Sequence, residues 1–169
     1  MCSAVLACLC VVACIDADET SGRIDTRLRL HAVEPGSGGP EAVAYFDAVA
    51  RVHAVADEAS DPEQAISALR EGLAIPRPHG ASHAEAVRLE LAARLAEHLL
   101  ARPNGASLAR DVLTPMLATD RSLPVDRASA RALVALGDAA AALHDDALAT
   151  GSYARAIRLM GHLREGLEP

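Results

Sequence analysis

RASARALVALGDAAAALHDDALATGSYARAIRLMGHL, residues 127–163, carries the plainest structural signal in the chain. It is dominated by alanine, the best intrinsic helix former, and its apolar residues recur at helical rather than alternating spacing. It therefore reads as two helices, near 127–143 and 146–163. Asp126 precedes the first, and His144-Asp145-Asp146 breaks the run and starts the second, because a carboxylate at a helix start accepts from amides that lack a partner within the helix. So short a connection folds the second helix back against the first.

The same punctuation continues toward the N-terminus. Ser60-Asp61-Pro62-Glu63-Gln64 offers a cap, a proline at the first helical position and an acidic first turn, Ser82-His83-Ala84-Glu85 has the order of a capping box, and Pro103-Asn104-Gly105 ends one helix and begins another. Six helices are expected near 41–58, 62–74, 83–101, 105–119, 127–143 and 146–163, as three antiparallel pairs. In the third, Val87, Leu91, Leu95 and Leu99 mark a buried face, while Glu90 and Arg94 are spaced to pair on a solvated one. The fold class is all-α.

Composition agrees with that class. Of 169 residues 37 are alanine, and the aromatic residues are Tyr45, Phe46 and Tyr153, so the expected core is thin, leucine-rich packing of closely approaching helices. All 16 basic residues are arginine, which reads as the codon bias of a GC-rich genome. A net charge of -7 without any arginine run argues against nucleic acid as a partner.

Residues 1–15 contain no charged side chain, and Asp16, Asp18 and Glu19 follow at once. A helix needs about 20 apolar residues to span a bilayer, so this run has the length of a signal-peptide core. Cys2, Cys8, Cys10 and Cys14 all lie around it, and none lies later, which is neither a disulfide framework nor zinc spacing. Val11-Val12-Ala13-Cys14 resembles the lipobox of bacterial lipoproteins. That resemblance implies cleavage after residue 13, lipidation of Cys14, and an envelope protein held by its acyl chains at the periplasmic face of the outer membrane. Each buried methylene of such an anchor contributes about 0.8 kcal/mol. The expected organisation is a signal peptide over 1–13, a lipidated terminus and linker over 14–40, a helical domain over 41–163 and a tail over 164–169. Within the linker, Glu34-Pro35-Gly36-Ser37-Gly38-Gly39-Pro40 is a turn-rich tether, and the alternation from Arg23 to Leu30 suits a short strand or extended arm.

The final helix pair resembles the tetratricopeptide repeat, a helix-turn-helix unit of about 34 residues, through Leu133, Leu136, Gly137, Ala149, Tyr153 and Ala156. The resemblance implies small residues where helices cross, at Gly137 and Ala149, a ring at Tyr153 filling the gap toward a following repeat, and close packing at Ala156. Ala65, Leu69, Gly72-Leu73 and Pro76 match more loosely, while Pro115 breaks the middle pair's agreement. The expected architecture is a short stacked solenoid of hairpins, with a generic helical bundle as the alternative.

Catalytic signals are sparse. His79 and His83 stand four apart, but Ile75-Pro76-Arg77-Pro78 and Gly80 place His79 in a loop, and no H-E-x-x-H order accompanies them, so no metal site is expected. There is no G-x-S-x-G elbow and no cysteine after residue 14 to act as a thiol nucleophile. Neither cofactor nor small-molecule substrate is expected, and the chain reads as a non-enzymatic scaffold for a protein or peptide, with a passive structural bundle and, after it, an unrecognised enzyme as the alternatives. Its groove is expected near Arg51, Arg94 and Arg131.

Overall fold

A computed structural model describes residues 39–79, 83–118 and 122–166. They form six α-helices and no strand: α1 (Pro40–Glu58), α2 (Pro62–Ala74), α3 (Ala84–Leu100), α4 (Ala106–Leu113), α5 (Arg127–Ala142) and α6 (Asp146–Glu165). The all-α class holds, and five of the six helices match their expected bounds to within two residues at each end.

Three of the expected caps are made. Asp61 accepts from the Glu63 amide at 3.0 Å, Asp126 from the Ser129 amide at 2.7 Å, and Asp145 from the Leu148 amide at 3.1 Å. Each satisfies one of the donors that a helix start leaves without an internal partner. Ser82 of the expected capping box lies outside the described residues, and the residue preceding α3 is His83.

The fourth helix is shorter than its sequence pattern, ending at Leu113 instead of 119. Pro115 is the cause, since it has no amide to donate back along the helix. The chain leaves through a turn in which Met116 and Leu117 both donate to the Leu113 carbonyl at 3.0 Å, and the Thr114 hydroxyl donates to Arg110 O at 2.8 Å.

Contacts between helices follow a simple order. Each helix packs on its neighbours along the chain, and in addition α3 packs on α1 and α5 packs on α3. Among the described residues no other pair of helices meets, so α1 and α6 do not close on one another. The first helices of the pairs thus lie side by side, whereas the second helices touch only first helices.

α3 is the centre of this arrangement. Leu89, Leu91, Leu95 and Leu99 are all buried, as are Ala92, Ala93 and Ala96, because α1, α2, α4 and α5 surround the helix. Only Glu97 within it is exposed, and the rest is buried or half-buried, so the expected half-solvated helix is corrected to one covered on nearly every side. Alanine at the crossings makes this possible, since a larger residue there would push the axes apart. In the second helices one spacing recurs: Ala65 and Leu69 are buried in α2, Ala109 and Leu113 in α4, and in α6 Ala149 is buried and Tyr153 half-buried. Three residues further on, Gly72 and Ala156 are buried in α2 and α6.

Candidate functional site

The side-by-side first helices share one charged surface, built from two arginines that each reach back to the preceding first helix. Arg94 of α3 contacts α1, where Nη2 donates to the Asp57 carboxylate and Nη1 lies 2.6 Å from His53 Nδ1. A guanidinium can only donate, so Nδ1 accepts and the His53 proton sits on Nε2. Arg131 of α5 contacts α3 in the same sense. Its Nε and Nη2 grip Glu97 in a two-point fork at 2.6 and 2.5 Å, while Nη1 holds Glu90.

The order of charges along this surface is Asp57, Arg94, Glu90, Arg131, Glu97, with His53 beside Arg94. Burial pushes the His53 imidazole below its ordinary value of 6.5, and the nearby Arg94 charge adds to the effect. The hydrogen bond to Glu97, followed by the fields of both glutamates, raises Arg131 further and keeps it charged. These are half-exposed groups, so each pair contributes at most about 1 kcal/mol, and their main effect is to fix the lateral register of the three helices.

Sequence spacing suggested an Arg94–Glu90 pair within one turn. The structure corrects this: both side chains point away from each other to partners on flanking helices. Of the three arginines expected to line one groove, Arg94 and Arg131 share the surface, but Arg51 does not, because it lies on the exposed outer side of α1. Asp57 and His53 were missed as members, since a single sequence gives each helix's faces but not which face meets which.

The residues singled out for repeat packing lie at the α5–α6 contact. Leu133, Leu136, Gly137, Ala149 and Ala156 are buried. A Cβ on Gly137 would stand 2.4 Å from Tyr153 Cε1, so the absence of a side chain there lets the ring lie directly on the helix backbone. Tyr153 therefore fills space inside its own pair, a correction to its expected role toward a following repeat, and its hydroxyl donates to Asp138 at 2.7 Å. That bond raises the Tyr153 hydroxyl above the usual range. Cys14 lies outside the described residues.

No family model, curated protein or solved structure matches the chain. Its chemistry must therefore be read from its own residues. Among those described, no group of three or more histidine, cysteine or acidic side chains could hold a metal ion, and no helix is long and apolar enough to cross a membrane.

One further polar recess is present, a cleft of about 280 Å³ lined by Arg77, Glu85, Arg88 and Met116, none of which the sequence marks as part of a site. Arg77 pairs with Glu85, and Arg88 donates to the Leu73 carbonyl at 3.1 Å. Beneath it the Tyr45 hydroxyl is buried without a hydrogen-bond partner, and burial pushes it above its ordinary range, opposed by the charges of Arg88 and Arg77. The hydroxyl is sealed from solvent, so the cleft offers a ligand two arginines already engaged and little else.

Proposed function

We propose that this chain is a lipid-anchored helical-repeat scaffold of the bacterial cell envelope, which presents the surface of α1, α3 and α5 to a protein or peptide partner. The observation that carries the reading is the contact order, in which first helices lie edge to edge and second helices stand behind them. Stacked helical repeats generate extended binding surfaces through that kind of layering. Support for a tetratricopeptide-like unit comes from the recurring alanine and leucine spacing in the second helices and from Tyr153 lying on Gly137. The reading assigns the chain binding and no catalytic step. The lipobox-like Val11-Val12-Ala13-Cys14 supports the anchor.

A passive bracing role is favoured by one specific observation: Arg94 and Arg131 already hold carboxylates of their own chain, leaving a nearly neutralised surface. Charge reversal separates the two. Crosslinking in intact cells, with Glu97→Arg and Arg131→Glu variants, should lose a partner that wild type captures at stoichiometric yield if the surface binds. Unchanged crosslinking by both variants would leave only the bracing role. Mass spectrometry of the mature N-terminus tests the anchor, with an acylated Cys14 expected and an intact Met1 contradicting it.

A further inference from the structure

At each interface between successive helix pairs the following first helix packs on both helices of the preceding pair: α3 on α2 and, slightly, on α1, and α5 on α4 and, extensively, on α3. The α5–α6 pair offers the corresponding surface with no described helix on it. Three of the large apolar side chains left exposed belong to that pair, Val134, Ile157 at 70% and Met160 at 57%. At the other end of the array, α1 turns its outer side to solvent, with Val43 at 58% and Val55 at 44% exposed, and small residues such as Ala50 and Ala54 between them. Small side chains on one helix and larger apolar ones on the other are the pairing that lets two helices approach closely.

Charge and length fit as well. Apart from Asp57, which Arg94 holds, α1 carries three carboxylates against one arginine. Apart from Arg155, which donates to the Leu117 carbonyl, α6 carries two arginines, both in its C-terminal half, against two carboxylates. Arg158 and Arg164 lie exposed on α6, as do Asp47 and Glu58 on α1. The two helices have 19 and 20 residues, so they can meet along their whole length. A surface that sits on α5 and α6 as α5 sits on α3 and α4 is thus present on the molecule itself.

We propose that the chain associates head to tail, the outer side of α1 in one copy seating on α5 and α6 of the next. The two contacting surfaces differ, so an open assembly of any length keeps one unused surface of each kind, one at either end, and growth does not stop at a dimer. This contact leaves the α1–α3–α5 charged surface of each copy outside it, and the inference does not depend on what that surface binds.

The test uses the full chain in density-matched detergent, followed by sedimentation across a wide concentration series. Wild type should grow in mass beyond a dimer, and raised salt should weaken the growth. Ile157→Arg spoils the α6 surface and Ala54→Arg spoils the α1 surface, both at exposed positions where circular dichroism should report an unchanged helix content. Each variant alone should associate about tenfold or more weaker. Mixed together, they should form one-to-one dimers that grow no further, because each retains the surface the other needs. A wild-type chain that stays monomeric would overturn the proposal, as would association insensitive to both substitutions, which is what contact through residues 1–38 would give. Failure of the mixed variants to pair would overturn it too, by pointing to a symmetric contact.

Discussion

The first and last helix pairs of this array are built on the same plan and held in different ways. In α5–α6 the glycine sits on the first helix, at 137, and an aromatic ring from the second covers it, so the two helices are locked face to face. In α1–α2 the glycine sits on the second helix, at 72, where a Cβ would stand 2.7 Å from Val52 Cγ1 and 3.4 Å from Leu91 Cδ1. There the small residue serves two contacts at once, toward α1 and toward α3. The lateral contact differs as well, since α5 lies along α3 extensively while α1 meets α3 only slightly and relies on Arg94 to reach it. One glycine thus tightens a hairpin, and the other allows a junction.

The largest effect should come from the core of the tight pair. Leu133→Ala, at a fully buried site in α5, should lower global stability by about 3 kcal/mol in denaturant melts, whereas Val49→Ala should chiefly speed amide exchange in α1 and leave α5 protected. Equal loss of protection in both helices would dissolve the distinction. Next in size, Gly137→Ala should cost about 1–3 kcal/mol, because the Tyr153 ring has to leave its seat and give up the Asp138 bond. Gly72→Ala should cost less, about 1 kcal/mol, since the two Val52 methyl groups have to yield while alanine improves helix propensity.

Acid should act on the first pair before the last. The His53 imidazole is held below its ordinary value of 6.5, so the folded state binds its proton less readily than the unfolded chain. Its contribution is complete above that value and is lost as the pH falls toward the lowered folded value. Protonation would also replace the Nδ1 acceptor by a donor facing Arg94. Melts between neutral and mildly acidic pH should therefore show a loss that His53→Gln removes, with hydrogen exchange rising first in α1. The smallest effects concern single strained or unsatisfied groups. His144 holds φ at 59° in the α5–α6 turn, so His144→Gly should stabilise by up to about 1 kcal/mol. Tyr45→Phe should be neutral to about 1 kcal/mol stabilising, because it deletes a buried hydroxyl with no partner.

Much of the fold was legible because helix starts are local chemistry. Asp61, Asp126 and Asp145 each cap the helix they precede, and the bond responsible spans two or three residues. The end of α4 was not legible from apolar spacing, which runs on through Leu117; the missing amide of Pro115 overrode it. Partner choice was the main failure. Glu90 and Arg94 satisfy the helical spacing for a pair, yet Arg131 and Asp57, from helices more than thirty residues away, win both of them. Nothing in the spacing of Arg77, Glu85 and Met116 announced that three separate segments would bring them together around one cleft.

The restricted contact order also bears on how the chain acquires its shape. Every helix finds its partners one or two helices away, so folding closes no long loop and carries a correspondingly small entropic penalty. Helical arrays of this kind belong among the fast folders, on a scale of about microseconds to milliseconds. A nucleus around α3 could grow toward either terminus by adding one helix at a time.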